Sequence, residues 1–356
     1  MTPHATLARI REYMVGPTRF MTLVSCFELG IIDRLRENSG LTASELAETA
    51  GAKPDAVEQL LLLLVKEGFV SYDESTGGYS LDALADVPQS DLEHVLAGLQ
   101  MIKGAALRQL YYLTESVRSG SLVGLKELYG FEGNLYNAMA VHTELREPWA
   151  KLMNSETKRI DPWFFENIDI AAGAQVIDVA GNTGLGAIHT YKLKTSPGLR
   201  VTTFDLPPKE AECLENFRAH GVEEHCSFIG GDVFAGIPKG FDTVLIKHFL
   251  PMFDKSEVLR ILRAVNESLE IGGELNILTP VYPEDTKDAD FRSIDFFPAF
   301  FLGCAMGQGG PQKMSTYQRW LEECGFKVTK AIAEEAASMP PEALPVDAIL
   351  CATKIA

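Results

Sequence analysis

Apolar residues first recur at three- and four-residue spacing, then gather into short β-branched runs separated by helical stretches. Leu7, Ile10, Tyr13 and Met14 share one helical face, and Phe20, Leu23, Val24, Phe27, Leu29, Ile31 and Leu35 continue it, which predicts helix over residues 5–37. Thr42-Ala43-Ser44-Glu45 has capping-box spacing and predicts a short helix ending near Gly51. Pro54-Asp55 opens a third helix, which carries Val57, Leu60, Leu61, Leu64 and Val65 and stops at Gly68. Phe69-Val70-Ser71-Tyr72, then Gly77-Gly78, then Tyr79-Ser80-Leu81 predict a hairpin. Three helices and a two-stranded wing make a winged helix.

Residues 91–160 read as helical again, with Tyr111, Tyr112, Leu113 and Val117 in one stretch. A second helix is expected over Leu135 to Met153, with Tyr136, Met139, His142 and Leu145 at helical spacing, and Pro162-Trp163-Phe164-Phe165 closes the helical part. From Gly173 the pattern alternates. Candidate strands are Gln175–Val179, Arg200–Phe204, Cys226–Ile229, Thr243–Lys247, Glu274–Leu278, Lys327–Ile332 and Ala348–Thr353. Helical stretches separate the first five. A loop with Pro340, Pro341 and Pro345 joins the last two, so the final strand is expected antiparallel beside the sixth.

The chemistry concentrates where the first of these strands ends. Val176-Ile177-Asp178-Val179-Ala180-Gly181-Asn182-Thr183-Gly184-Leu185-Gly186 is a strand, a small-residue turn and a helix start. The second strand ends on Asp205, where an acid can accept hydrogen bonds from both hydroxyls of a ribose. The glycine order does not match the G-x-G-x-x-G of a dinucleotide site. Asp178 also suits a cationic amino group better than a pyrophosphate, which points to S-adenosylmethionine.

Composition narrows the alternatives. The 356 residues are 46% hydrophobic and 23% charged, ordinary for a globular chain of about two domains. No apolar run approaches the ~20 residues of a membrane span, and the N-terminus lacks the segments of a secretory signal. The six cysteines have no metal-ligand spacing and suit reduced thiols in a cytoplasmic protein. A net charge of −17 argues against nucleic acid as a partner. The winged helix alone would allow a DNA-binding regulator, but residues 41–72 carry two lysines against five acids. That face suits dimer contact better. Nucleotide-loop, nucleophile-elbow and zinc-helix motifs are missing, and no metal is expected. Asp254 and Glu257 read as acids on the first turn of a helix, not as a catalytic pair.

Taken together, Val176–Gly184, Phe204-Asp205-Leu206-Pro207, Gly231-Asp232-Val233-Phe234 and Leu245-Ile246-Lys247-His248 resemble the caffeate-type, bacterial natural-product O-methyltransferases. Leu269–Leu275, Trp320–Phe326 and the winged helix extend the resemblance over nearly the whole chain. It implies an α/β fold: a seven-stranded Rossmann-like methyltransferase domain with an N-terminal α-helical winged-helix dimerisation domain. The expected division is 1–110 for the winged helix, 111–165 for a helical linker contributing to the substrate pocket, and 166–356 for the catalytic domain. A homodimer acting on a small molecule is implied. Carried over by position, Gly181 and Asn182 would approach the methionine part of the cofactor, beside Asp178. Asp205 would hold the ribose, with Leu206 packing nearby. Asp232 would bond the adenine amino group, Val233 would cover the adenine, and Lys247 would lie near the cofactor.

Two departures stand out. Ala180 and Asn182 replace glycines of the family turn D-x-G-G-G-x-G, a change that binding should survive because asparagine tolerates positive φ. The family often reads K-x-x-L-H-D-W, its histidine being the general base; here the chain reads Lys247-His248-Phe249-Leu250-Pro251-Met252-Phe253. With proline at 251, methyl transfer to oxygen, nitrogen or activated carbon is expected to run mainly by positioning. The same gap fits a relative that keeps the cofactor for hydroxylation or pericyclic chemistry. His248 and His142 are the remaining candidates for a base. Phe296, Phe297, Phe300, Phe301 and Met306, within Phe291 to Met306, are expected to be partly core and partly an apolar substrate pocket.

Overall fold

The computed structural model describes residues 2–287, 293–333 and 347–356; Phe291 and the proline loop at 340–345 lie outside them. The chain forms two compact units, Met1–Lys103 and Gly104–Ala356.

The first unit runs α1 (Pro3–Glu28), α2 (Ile31–Glu37), β1 (Leu41–Thr42), α3 (Ala43–Ala50), α4 (Pro54–Lys66), β2 (Val70–Asp73), β3 (Gly78–Leu81) and α5 (Gln89–Met101). The helix expected over 5–37 breaks at Gly30, whose φ of +69° only glycine adopts cheaply. The capping box is present: Thr42 Oγ1 accepts from the Glu45 N–H at 3.3 Å and Glu45 accepts from the Thr42 N–H at 2.7 Å. β1 pairs with β3 and turns the expected hairpin into a three-stranded sheet. Ile32, Val57, Leu61 and Leu64 are buried in this core, whereas Leu7, Ile10, Tyr13 and Met14 of α1 are exposed.

The second unit begins with short helices α6 (Leu107–Leu110), α7 (Leu113–Ser119), α8 (Val123–Tyr129) and α9 (Leu135–Ala138), then the long α10 (Thr143–Asn167). One sequence expectation fails here. The helix predicted over 135–153 is interrupted, and His142 sits in extended conformation as the N-cap of α10. Apolar spacing carries across so short a break and does not reveal it. The helical part closes at Asn167, just past the expected Pro162–Phe165, and Pro162 does not break it. It lies inside α10 on the exposed side, while Ile160, Phe164 and Phe165 hold the helix to the core.

Strands β4 (Gln175–Val179), β5 (Arg200–Asp205), β6 (Cys226–Gly230), β7 (Thr243–Lys247) and β8 (Glu274–Tyr282) are parallel. The two-residue β9 (Gln312–Lys313) pairs with the end of β8. β10 (Phe326–Ala333) and β11 (Asp347–Lys354) are antiparallel to each other, and β11 is antiparallel to β8, giving the order β10-β11-β8-β7-β4-β5-β6. Strand order reverses between β4 and β7, so the crevice for a ligand opens at their carboxyl ends. Alternation assigns each strand residue to a face. Ile177, Val179 and Ile246 pack with α13 (Lys255–Ser268) and α15 (Met314–Glu323). Val176 and Leu245 pack with α10, α11 (Leu185–Leu193) and α12 (Glu210–Ala219). Asp178 and Lys247 continue that second face, and so end beneath α10 and α11.

Candidate functional site

Asp178 is 1% exposed, and its Oδ2 has no hydrogen-bond partner. Burial pushes its carboxyl up to about 6 against the pull of Lys247, and the negative charges of Asp161 and Asp205 push the same way as burial. A buried acceptor left unpaired is costly unless a ligand supplies the donor. The turn that follows passes close to it. A Cβ at Gly181 would stand 2.7 Å from Asp178 Oδ2, so any side chain there would cover the free oxygen.

The turn is also tied to the next strand. Asp205 Oδ2 accepts from the Asn182 N–H at 2.8 Å and Oδ1 from the Leu206 N–H at 2.7 Å. Each carboxylate oxygen keeps lone pairs for further donors. Ala180 and Asn182 adopt left-handed φ of 59° and 51°, as the glycines they replace would. Asp232 caps the turn after β6 by accepting from the Phe234 N–H at 2.9 Å, and Val233 is buried beside it. The Gly231 N–H donates to the Asp205 carbonyl at 2.9 Å, so the β6 turn and the tip of β5 form one rim. Leu206 and Asp232 are exposed on that rim. Asp178, Gly181, Asn182, Asp205, Leu206, Asp232 and Val233 thus gather along the ends of β4, β5 and β6.

Lys247 joins them from β7. Its ammonium donates to both oxygens of Asp161, at 2.8 and 3.0 Å. Asp161 also accepts from His189 Nδ1 at 2.8 Å. Burial opposes charge on Asp161, but Lys247 and His189 outweigh it and hold the carboxyl below the usual range. Burial likewise opposes charge on Lys247, and Asp161 and Asp178 overcome it, so the ammonium stays charged. Sequence reasoning missed Asp161 and His189. The one available signal was an acid inside the apolar run Ile160-Asp161-Pro162-Trp163-Phe164-Phe165.

At the same edge, His248 leaves strand geometry with φ of 50°. Its Nε2 bonds Asp347 Oδ1 at 3.0 Å, an acid at the start of β11 that sequence reasoning also missed. Burial acts to lower the imidazole pKa, but Asp347 and the more distant Glu156 outweigh it, and the net shift is upward. Pro251 lies buried in a 3₁₀ turn (Leu250–Met252), its carbonyl accepting from the Gly310 N–H at 2.7 Å. His142 is apart from these residues in its contacts: its ring meets Tyr129 and Phe131, and Nδ1 is 3.5 Å from Glu144.

An aromatic wall completes the unit. In α14 (Ser293–Phe300) and the π-turn after it, Phe300 and Phe301 are buried, while Phe296, Phe297 and Met306 are partly exposed. Trp149 stacks on Phe300 at 5.9 Å and meets Tyr136 edge-on at 5.5 Å; Phe296 stacks on Phe300 at 5.0 Å.

Residues 110–327 match the O-methyltransferase domain family and residues 12–88 the O-methyltransferase dimerisation domain. The chain is 26% identical to 3-amino-4-hydroxybenzoate 4-O-methyltransferase of Streptomyces cremeus, over 92% of this chain and 87% of the relative. It is 22% identical to L-tyrosine C(3)-methyltransferase of Streptomyces lavendulae, over 88% and 85%. Its fold is similar to that of the mitomycin 7-O-methyltransferase MmcR, with a TM-score of 0.80 at 24% identity over 99% and 98% of the two chains. Human N-acetylserotonin methyltransferase, solved with S-adenosylmethionine, aligns with a TM-score of 0.78 at 19% identity over 100% and 99%. With the matched domain covering more than half of its length, the chain belongs to the O-methyltransferase family and is an S-adenosylmethionine-dependent methyltransferase.

Proposed function

We propose that the protein methylates an oxygen or an activated carbon of a small aromatic metabolite, as a homodimer, and that it works mainly by positioning. Residue 251 carries that reading: a proline has no proton to exchange, and its carbonyl is already bonded to Gly310. S-adenosylmethionine supplies a methyl group on a positively charged sulfur, ready for in-line displacement. Asp205 holds the ribose hydroxyls, Asp232 and Val233 take the adenine, and Leu206 packs beside them. Gly181 and Asn182 let the backbone approach, and Asp178 accepts from the amino group with Lys247 next to it. General-base help contributes about 10²–10⁴-fold, whereas orienting two reactants can contribute about 7–11 kcal/mol. An acidic phenol or a nucleophilic ring carbon needs little of the former. His248, steered by Asp347, is the ring placed to take an acceptor proton at the strand tips; His142 is the second candidate.

The aromatic wall of Tyr136, Trp149, Phe296 and Phe300 supports a flat acceptor. So do relatives named for a hydroxybenzoate and for C(3) of tyrosine. The exposed apolar face of α1, with Tyr13 82% and Met14 75% exposed, supports a second copy as its cover. The test is incubation with S-adenosylmethionine and a panel of phenols, hydroxybenzoates and tyrosine derivatives, followed by assay of S-adenosylhomocysteine. Saturable cofactor binding with no product from any acceptor would count against methylation of aromatic rings.

A further inference from the structure

Two buried carboxylates, Asp161 and Asp178, share the surroundings of one ammonium, yet only one of them bonds it. Lys247 Nζ donates twice to Asp161, while Asp178 Oδ2 stays unpartnered. Lys247 and Asp178 are near neighbours that do not touch. A Cβ at Gly186 would lie 2.4 Å from Asp178 Oδ2 and 2.7 Å from Lys247 Nζ, so the two atoms flank one point. The preference is set by α10 and α11, which bring Asp161 over the strand ends and back it with His189. A carboxylate can only accept, so His189 Nδ1 carries the hydrogen in that bond. The two carboxylates and the Lys247 ammonium together hold two negative charges and one positive. One negative charge is left over, and it resides on the oxygen with no partner.

We propose that Asp161, backed by His189, is a positioning residue that holds the Lys247 ammonium off Asp178 and so reserves Asp178 for the cationic amino end of the cofactor. The inference rests on the reading that this crevice holds S-adenosylmethionine. Removing the charge of Asp161 leaves Lys247 one carboxylate in its surroundings, Asp178. The pair then closes on itself, and the excess negative charge that would meet the ligand's ammonium is gone.

Two ligands isolate this effect. S-adenosylhomocysteine carries the amino-acid end; 5′-methylthioadenosine shares the nucleoside and lacks that end. Asp161→Asn should weaken S-adenosylhomocysteine roughly tenfold or more, as loss of a charge-assisted hydrogen bond does. Methylthioadenosine should stay within about twofold. A pH profile adds a readout that mere support of the fold would not move. The groups facing Asp178 are Lys247 from β7, Asp161 from α10 and Asp205 from β5, with His189 of α11 acting through Asp161. The wild-type protein should lose S-adenosylhomocysteine affinity below about pH 6, where Asp178 takes up a proton. In Asp161→Asn the ammonium neutralises Asp178, and that step should move to lower pH. Unchanged affinity, or equal loss of both ligands with the pH step in place, overturns the proposal. If Asp161→Asn does not fold, His189→Gln should give the same selective loss on a smaller scale, and no selective loss there overturns it equally. Asp205→Ala is the control for the crevice itself: if it leaves both ligands bound as before, the cofactor reading has failed rather than this one.

Discussion

Two buried acids stand at the same edge of the sheet and have opposite fates. Asp347 is 2% exposed and its carboxylate is taken by His248; Asp178 is 1% exposed and one of its oxygens is taken by nothing. Both neighbourhoods use non-glycine residues at positive φ, His248 in one and Ala180 and Asn182 in the other. Strain alone therefore does not mark the binding site. The informative difference is satisfaction. An acid paired inside the protein steers another side chain, whereas an acid paired with nothing keeps an acceptor free, the one proposed here for the cofactor.

The sharpest way to break the comparison is to remove the unpaired charge. The folded carboxyl of Asp178 titrates near 6, above its ordinary 3.8. The folded state therefore holds this proton more tightly than the unfolded one. Its contribution is most favourable below about 3.8 and is lost as pH rises through about 6. Above that, the buried charge costs on the order of 3 kcal/mol. Asp178→Asn should thus make the ligand-free protein more stable than wild type at pH 8 by up to about that amount, with the gap closing by pH 4. Urea unfolding at the two pH values checks this. The same variant should bind the cofactor poorly, a trade of function for stability.

Next in size is Asp205→Ala, which should weaken S-adenosylmethionine by roughly 1.5–3 kcal/mol in calorimetry. Unchanged affinity in a folded variant would mean the crevice is misassigned. The paired acid is probed through its partner. His248→Gln should lower kcat by less than about tenfold at unchanged cofactor affinity, short of the 10²–10⁴ of general-base catalysis. A loss in that larger range would make His248 the base and end the positioning account. The smallest effect belongs to the turn. Ala180 holds a left-handed φ of 59°, so Ala180→Gly should stabilise the fold by about 1 kcal/mol, visible as a higher Tm.

Much of this was readable before any coordinates. Gln175–Val179 and Thr243–Lys247 match their strands residue for residue, because buried parallel strands are short apolar runs with sharp ends. Asp205 stands out in the sequence because it ends such a run close to the turn whose Asn182 N–H donates to it. Asp161, His189 and Asp347 were not found, since their partnerships cross 28 to 99 residues and leave no local pattern. The His142 break was missed for a related reason: periodicity shows which face is apolar and says little about where one helix yields to the next.

The central claim is that Asp178 is kept free and ionised for the cofactor's amino group. Calorimetric titration of S-adenosylmethionine into wild type and Asp178→Asn, at pH 5 and pH 8, tests it most directly. The account predicts markedly tighter wild-type binding at pH 8 than at pH 5, and weak, pH-independent binding by the variant. Equal wild-type affinity at both pH values, or a variant that binds as well as wild type at pH 8, would contradict it.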